Sequence, residues 1–438
     1  MNDDELLKGK RVGYALSCNK INTTDRATWV PSDTDQVALF AVDYSLYLIA
    51  FGPFARSSSS VAIVKLRFKD YVRTCSIDGS GRLLAVAFQS KKFSIFDLNC
   101  PCSTDEGAGF ACCYESKLSK KLVKIQWENE SSILCADKFG TFFLYCFQID
   151  ATGTPVHLSL RWDKPRVPLG HYSTVTEFLI ASPASNSDAD RHSVLVSADK
   201  DEKIRVSRWP HAYDILCFCL GHTQFVSSLC IVRNERDGLD ILLSAGGDSR
   251  LIAWDYTCGR QLAAADLSDI VDHFEGLSCE LRRRYSQTGV VATNILYLKE
   301  KNLVVIGIEL LDYLLFYGVV KNGEISLKHL KSCRINLIPT KIAVDAQSKL
   351  WIAGLAVHSS PILVYDVSIC PDGLPSLDID KESTSLVEAF DGPLCAETVL
   401  DFLLQEKNFR KQAYFVSHSN QAPSTEEDPC KKRPHLEA

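Results

Sequence analysis

The sequence predicts an all-β fold built from about seven repeated antiparallel units. Three segments repeat clearly, and looser copies of them lie near residues 86, 306 and 355. Together these copies place successive units about 47 to 62 residues apart. A period of this order, with several short strands in each unit, is typical of a β-propeller. The three clear repeats align without gaps: CADKFGTFFLY (135–145), SADKDEKIRVS (197–207) and SAGGDSRLIAW (244–254).

Each unit has the sequence pattern of adjacent hairpins. In SIDGSGRLLAVAF (76–88), Asp78 and Gly79 lie between two apolar runs, which predicts a tight turn joining two strands. The first unit must come from residues of about 10–73, where 36–42 and 46–52 are strand-like. Together with the later repeats this predicts seven blades over residues 1–394, in a ring closed by pairing of the terminal strands.

Composition limits the classes of function. The chain has 438 residues, 46% of them hydrophobic, and a formal net charge of -6. Proteins that bind nucleic acid alone usually carry a basic excess, so any such role is expected to be shared with a partner. The 17 cysteines have no framework spacing, and the charged N-terminus lacks a signal-peptide apolar core. We therefore expect a soluble intracellular protein with no membrane span.

One unit contains a complete set of residues for a buried hydrogen-bond network. His222 follows Gly221, Ser244 lies in a strand, Asp248 lies in the next turn, and Trp254 follows in the next strand. On these residues the chain resembles WD repeats, in which such a His, Ser, Asp and Trp stabilise a blade because every polar member is satisfied. We interpret His222 and the matching histidine of the preceding unit as structural, because no nucleophile or metal-ligand spacing accompanies them.

The preceding unit departs from this set. It has His171, Ser197 and Asp201 at the matching positions, but Ser207 stands where the repeat has tryptophan. Its network is therefore expected to be truncated or rerouted.

A narrower resemblance lies in residues of about 195–262. The segments SADKDEKIRVS, DILCFCLGHTQFVSSL (214–229) and ILLSAGGDSRLIAWDYTCGRQL (241–262) closely resemble the WD-repeat subunit of the tRNA guanine-N7 methyltransferase. The resemblance implies a non-catalytic subunit in a heterodimer with a Rossmann-type partner. That partner would hold S-adenosylmethionine and methylate a guanosine in the tRNA variable loop, with tRNA bound through the complex. It also implies a nuclear location, with the cytoplasm as a second site.

The chain itself is expected to hold no cofactor. A glycine-rich turn between a strand and a helix is needed to bring S-adenosylmethionine close to backbone amides. The nearest match, DGSGR (78–82), lies between two predicted strands with no helix after it. We therefore interpret it as a hairpin turn.

Charged residues in the unit at 197–207 are the predicted partner contacts. Lys203 and Arg205 alternate with aliphatic residues, so both cations should lie on one side of a strand. The resemblance implies that this segment faces the catalytic subunit, where the Arg205 guanidinium would bind a carboxylate in bidentate fashion. Asp201 and Glu202 are expected to orient the pair or to close the turn. A solvated rim is the alternative, although the neighbouring units have uncharged residues, Phe143 and Ile252, at the position of Arg205.

Three further clusters carry weaker signals. Arg282, Arg283 and Arg284 form a basic loop that would contact tRNA phosphates in the complex, or remain solvated. Lys431–Pro434 is too short to be a specific nuclear-import signal. No metal site is expected, because four neighbouring cysteines have no standard zinc spacing: Cys100, Cys102, Cys112 and Cys113.

Segments between and after the blades are assigned from composition. Residues 100–109, 181–192 and 267–287 are polar and are expected to be solvent loops. Apolar residues at helical spacing in 395–413 predict a short helix, within a helix/strand extension packed on the propeller at 395–416. The polar segment 417–438 is expected to be a disordered tail.

Two other functions stay open. A general WD-repeat scaffold or ubiquitin-ligase substrate receptor would have the same fold, but such receptors typically carry arginine two positions after the Trp-Asp pair. Here Trp254-Asp255 is followed by Tyr256 and Thr257, and Phe96-Asp97 is followed by Leu98 and Asn99. A propeller enzyme would need catalytic groups that converge in the central channel.

Overall fold

The computed structural model describes most of the chain between residues 16 and 381. Within these residues, 28 strands form seven four-stranded antiparallel sheets, each made of four strands consecutive in sequence. The all-β propeller prediction is thereby confirmed. The described residues are 16–20, 36–42, 45–51, 62–102, 110–150, 156–182, 193–271, 274, 277, 279–344, 348–355 and 362–381.

Blades 1 to 4 occupy the N-terminal half of this region. Blade 1 contains β1 (Leu16–Lys20), β2 (Gln36–Val42), β3 (Ser45–Phe51) and β4 (Ala62–Arg67). Blade 2 contains β5 (Val72–Ile77), β6 (Leu83–Phe88), β7 (Lys92–Pro101) and β8 (Phe110–Lys117). Blade 3 contains β9 (Leu122–Asn129), β10 (Ser132–Asp137), β11 (Phe142–Asp150) and β12 (His157–Leu160). Blade 4 contains β13 (Val175–Ala181), β14 (Val194–Asp199), β15 (Ile204–Arg208) and β16 (Ile215–Cys219).

Blades 5 to 7 follow, with two helices between blades 5 and 6. Blade 5 contains β17 (Val226–Asn234), β18 (Leu239–Gly246), β19 (Arg250–Asp255) and β20 (Arg260–Asp266). The helices are α1 (Ser268–Val271) and α2 (Cys279–Thr288). Blade 6 contains β21 (Ala292–Leu298), β22 (Leu303–Ile308), β23 (Tyr313–Asn322) and β24 (Glu324–Arg334), with a 3-10 turn at Lys299–Lys301 after β21. Blade 7 contains β25 (Ile338–Val344), β26 (Lys349–Leu355), β27 (Ile362–Ile369) and β28 (Pro375–Ile379).

The blades form a ring around a central channel. From blade 2 to blade 7, the first strand of each blade contacts the first strand of the next, and β1 contacts β25 across the closure. In the described region no sheet combines strands from both ends of the chain. In this region β1–β4 form one blade and β25–β28 form another, whereas residues 1–15 and 382–438 lie outside the described residues, so closure by pairing of the terminal strands stays a prediction.

The core lies between neighbouring blades. Middle strands such as β10 and β14 are buried at every residue, because both faces of each blade pack against another blade. Outer strands such as β16 are largely exposed. Between blades 4 and 5, for example, Val206 packs in one apolar cluster with Leu242 and Trp254. Burial of a large apolar side chain in such a layer contributes about 1.5–3 kcal/mol.

The insertion at 267–287 differs from its prediction as a solvent loop. Tyr285 of α2 is buried and its hydroxyl donates to the carbonyl of Glu309, 2.6 Å away. Phe274 is also buried and stacks on Tyr313 with 4.4 Å between ring centroids. Leu281 precedes Tyr285 by four residues and packs against the same cluster, so one face of α2 joins the core of blades 5 and 6.

Other predicted segments lie largely or wholly outside the described residues. They are most of the loops at 100–109 and 181–192, the predicted helix at 395–416 and the tail at 417–438. Among the described helices, none has both the length and the apolar character needed to cross a membrane.

Candidate functional site on blades 3 to 5

Blade 5 contains the four-residue network in full. His222 Nδ1 lies 2.8 Å from Asp248 Oδ2, and His222 Nε2 lies 2.7 Å from Ser244 Oγ. The Trp254 indole N–H donates to the same Ser244 oxygen at 2.7 Å. These side chains are buried, so the chain of bonds runs through the blade from the turn after β18 to the end of β19. Every polar member has a partner, which fits a structural role.

Blade 4 has a shorter network with a different carboxylate. His171 Nε2 lies 2.8 Å from Ser197 Oγ, but His171 Nδ1 is bound by Asp199 at 2.9 Å and not by Asp201. Asp199 also accepts the backbone N–H groups of Asp201 and Lys203 through its other oxygen, so it closes the β14–β15 turn. The alignment of Asp201 with Asp248 was therefore wrong for this blade.

The network of blade 4 ends at the position where tryptophan is missing. Ser207 is fully buried, and its hydroxyl has no hydrogen-bond partner among the described residues. Ser197 thus receives no indole donor. The expected truncation follows directly from the loss of the indole N–H.

The buried carboxylates make acid stability a test of these networks. Burial alone would raise the pKa of Asp248, but the bonds from His222 and from two backbone N–H groups hold that pKa below its usual value. The pKa of Asp199 is also lowered, since the bond from His171 and two backbone N–H groups outweigh its burial. Between the folded and unfolded pKa values, the unfolded state binds more protons, so stability falls as pH decreases.

We expect Asp248→Asn to lower the free energy of unfolding by about 1–3 kcal/mol at pH 7. Below the usual carboxylate pKa of about 3.9 the difference from the parent should shrink, because the parent loses the contribution of Asp248 there. Thermal unfolding between pH 2.5 and 7 measures this. Asp378→Asn, at an exposed carboxylate on β28, is the control. A constant difference at all pH values would contradict the assignment.

The predicted partner-binding residues lie in the β14–β15 turn and at the start of β15. Lys203 is exposed, whereas Asp201 and Glu202 are partly exposed. Arg205 is partly buried, and its Nη1 donates to the carbonyl of Gly170 at 3.1 Å. Its Nε and Nη2 are buried with no partner within the described part of the chain, and burial lowers the pKa of the guanidinium. A bidentate contact would thus require this side chain to turn outward.

The contact made by Arg205 has a counterpart in blade 5. Arg250 Nη1 donates at 2.8 Å to the carbonyl of Gly221, the residue before His222, just as Gly170 precedes His171. The two arginines occupy different strand positions, so the alignment of Arg205 with Ile252 concealed the equivalence. Arg205 therefore holds the loop that precedes β13, a role that sequence comparison alone missed.

That loop belongs to a continuous surface with exposed apolar side chains. Tyr172 is fully exposed, and Leu220 and Phe139 are 64% and 53% exposed. The loop of Tyr172 lies on the β10–β11 turn, where the Gly140 carbonyl accepts the His171 N–H at 2.8 Å. Gly140 has φ +91°, and a Cβ there would lie 2.5 Å from two carbonyl oxygens of this loop.

The same surface continues across blade 4. The Lys200 N–H donates to the carbonyl of Thr174 at 2.8 Å, which joins the β14–β15 turn to the loop. Residue 219 pairs with Ile204, so Leu220 follows directly beside Lys203. Lys120 and Lys138 lie over the Phe139 ring, at 4.3 and 5.0 Å from its centroid. We call this surface, formed by Phe139, Tyr172, Leu220 and residues 200–203, the blade 3–5 face.

The remaining predicted sites lie elsewhere. The three arginines at 282–284 are on α2, not in a loop; Arg282 and Arg283 are exposed and Arg284 is partly exposed. Residues 78–82 form a hairpin turn that leads into β6, a strand and not a helix. Across the described ranges no group of three His, Cys, Asp or Glu side chains is arranged to hold a metal ion, the cysteines near 100–113 included.

Comparison with known proteins places most of the blade 3–5 face within a matched region. Residues 162–361 match the family model for the WD40 domain of tRNA methyltransferase TRM82. The chain is similar to the TRM82 family. This confirms the resemblance that residues 195–262 indicate. Tyr172, residues 200–203 and Leu220 lie inside the TRM82-like region, and Phe139 lies before it.

Curated relatives of TRM82 type carry consistent names. The Dictyostelium discoideum protein named tRNA (guanine-N(7)-)-methyltransferase non-catalytic subunit wdr4 is 36% identical over 159 residues, which is 34% of this chain and 32% of that protein. The wuho subunit of Drosophila pseudoobscura pseudoobscura, with the same enzyme name, is 34% identical over 31% of this chain and 28% of its own. The Saccharomyces cerevisiae TRM82 subunit is 26% identical over 46% of this chain and 41% of its own. The chain thus spans less than half the length of these relatives.

Solved structures support the fold alone. The WD40 repeats of RRP9 superpose with a TM-score of 0.51 at 14% identity, covering 80% of this chain and 89% of that chain. Saccharomyces cerevisiae Sqt1 gives a TM-score of 0.51 at 13% identity, covering 76% and 79%.

Proposed function

We propose that this chain is a non-catalytic subunit of a tRNA guanine-N7 methyltransferase. The observation that carries the proposal is the match of residues 162–361 to the TRM82 WD40 model, together with relatives named as non-catalytic subunits of that enzyme. In this proposal a Rossmann-type partner holds S-adenosylmethionine and performs methyl transfer. The propeller binds the partner as a heterodimer and acts on tRNA through the complex, in the nucleus.

The blade 3–5 face is the proposed docking surface. It combines exposed Tyr172, Leu220 and Phe139 with the charged turn at 200–203, and such a mixture of aromatic and apolar anchors with charges is typical of protein interfaces. The lysines around Phe139 favour an acidic rim on the partner. The exposed arginines of α2 are the proposed additional contact with tRNA phosphates.

The decisive experiment is reconstitution. The chain, the catalytic methyltransferase subunit of the same organism, and the two together are purified and assayed for 7-methylguanosine formation in tRNA with S-adenosylmethionine. We expect a stable 1:1 complex, with activity that depends on the chain, and no activity in the chain alone. Failure of the two proteins to associate, or micromolar binding of S-adenosylmethionine to the chain alone in calorimetry, would overturn the proposal.

We expect Arg205→Leu to weaken the complex about tenfold, because the loop that carries Tyr172 loses the bond from Arg205 to Gly170. Arg205→Lys should recover only part of the loss, since an ammonium group has a different shape and reach. Affinity for the catalytic subunit and the melting temperature are measured together. The control is Arg233→Leu, at a partly buried arginine paired with Asp240 away from this face. Equal affinity in both variants would assign Arg205 a role in folding only.

A further inference from the structure

The first strands of blades 2 to 7 share a bulge that gives the channel a ring of polar side chains. In each of them the pairing to the second strand skips one residue near the start of the strand. A bulge re-aims the next side chain, and here each of those side chains lines the central channel, whose volume is about 1140 Å³. The ring consists of Thr74, Lys124, Glu177, Ser228, Asn294 and Lys341.

Most polar members of the ring bind a neighbouring blade. Lys124 forms an ion pair with Glu177 and donates to the carbonyl of Phe178 at 2.7 Å. Asn294 Nδ2 donates to the carbonyl of Thr340 at 3.0 Å, and Ser228 Oγ accepts the N–H of residue 295 at 3.0 Å. These bonds connect blades 3 and 4, 5 and 6, and 6 and 7.

Lys341 differs from the other charged members of the ring. Its ammonium group forms no hydrogen bond or ion pair within the described residues, although it is partly buried in the channel wall. Burial lowers the pKa of Lys341, the charge of Glu177 opposes this shift, and the charge of Lys124, whose influence is smaller than that of Glu177, lowers the pKa further. Glu177 is already engaged, since it accepts the backbone N–H of Phe178 at 2.8 Å besides the ammonium group of Lys124.

Among the described residues of the lining, the other acidic side chains do not pair with Lys341. They are Glu128 on β9 and Glu130 just after it, beyond Lys124 by about 13 Å or more at 3.3 Å per strand residue. Glu128 is bound by Ser132 and by the Trp209 indole. Strand β1, which contacts β25, has the sequence LSCNK without an acidic residue.

The remaining cation of the lining is committed elsewhere. Arg73 donates from Nε to the carbonyl of Leu122 at 3.1 Å and from Nη1 to Gln89 at 2.9 Å. Among the described lining residues, Lys341 is therefore an unpaired, partly desolvated cation with Lys124 in electrostatic range, and the Ser228 hydroxyl still has a proton to donate. An oxyanion beside Lys341 would offset the desolvation cost of its ammonium group.

We propose that the central channel is a binding site for a small phosphate-bearing anion, held by Lys341 with Lys124 at its other side. A single phosphate would bind Lys341 alone, whereas a short polyphosphate would span toward Lys124. The channel volume of about 1140 Å³ lies slightly above the range of about 300–1,000 Å³ that is usual for small-molecule pockets, so a small anion fits inside it. This inference is independent of the docking surface and of the identity of the catalytic partner.

The test uses calorimetric titration of the full chain with tripolyphosphate and with inorganic phosphate at matched ionic strength. We expect binding of both, with tripolyphosphate tighter. Lys341→Met should weaken tripolyphosphate binding about tenfold or more, and Lys124→Met should weaken tripolyphosphate more than phosphate. Lys328→Met, at an exposed lysine on β24 outside the channel, should leave both affinities unchanged.

Folding of the variants is checked by thermal unfolding without anion. Lys341→Met should melt at or above the parent temperature, because it removes a partly buried unpaired charge. In saturating tripolyphosphate the parent should gain more stability than this variant. Absence of binding to the parent, or equal loss of affinity in Lys341→Met and Lys328→Met, would overturn the proposal. If Lys341→Met fails to fold, the same comparison is made with Lys341→Gln, which keeps a polar group at the ring.

Discussion

Trp254→Ala is expected to lower the free energy of unfolding by about 3–5 kcal/mol, which is a large part of the stability of an ordinary domain. The indole is fully buried between blades 4 and 5, so its removal leaves a cavity in that apolar layer. It also removes the donor to Ser244. A Cβ at Gly221 would lie 2.9 Å from the indole, which indicates how closely the ring packs on that backbone. Denaturant unfolding measures the loss.

The matched control for this change lies at the same position of the preceding blade. Ser207→Ala removes a buried hydroxyl that has no partner among the described residues, so stability should be unchanged or slightly increased. Trp254→Phe separates the cavity from the hydrogen bond, because phenylalanine retains most of the apolar volume. A loss below 1 kcal/mol in Trp254→Ala would contradict a network that supports the whole blade.

Replacement of the three exposed apolar residues of the blade 3–5 face by serine is expected to weaken binding of the catalytic subunit by about 2–5 kcal/mol. Phe139, Tyr172 and Leu220 would each lose apolar contact area at the proposed interface, and aromatic anchors commonly contribute most to binding energy. The melting temperature of the isolated propeller should change little, since these side chains contact solvent in the free chain. Affinity is measured by calorimetry or by surface-immobilised binding.

An exposed apolar pair on blade 7 gives the control. Ile369 and Ile379 are 44% and 42% exposed on the outer strands of that blade, and their replacement by serine should leave affinity unchanged. Normal affinity in the triple variant would move the docking surface to another part of the propeller. The assignment as a methyltransferase subunit would then depend on the reconstitution experiment alone.

The repeats could be located from the sequence because most units contain a short strand, a polar turn and a second strand with an aromatic residue. Sequence reasoning identified the residues of blade 5 that the structure brings together, since all four keep the spacing of the WD repeat. It wrongly assigned Asp201 as the carboxylate that bonds His171, because an ungapped alignment matches residues by their position along the chain and not by their place in the turn. The turn of blade 4 instead places Asp199, two residues earlier, within 2.9 Å of His171.

Two other features needed tertiary structure. The insertion before blade 6 is rich in charge, and only packing shows that Leu281 and Tyr285 turn one helical face toward the core. The polar ring of the channel depends on bulges in six strands, and a bulge changes which face a side chain takes without leaving a clear sequence signal. The partner-facing role of Arg205 stays a prediction, because the side chain already bonds Gly170 within the chain.

Closure of the ring has a mechanical consequence. In the part of the chain that the structure describes, blades 1 and 7 each form their own four-stranded sheet, and the two meet where β1 contacts β25, without a shared strand. Within the described strands, tension across that seam would separate two sheets without breaking hydrogen bonds between paired strands. Every other neighbouring pair of blades is also joined by the continuous polypeptide. The ring can therefore open at this seam while each blade keeps its own fold.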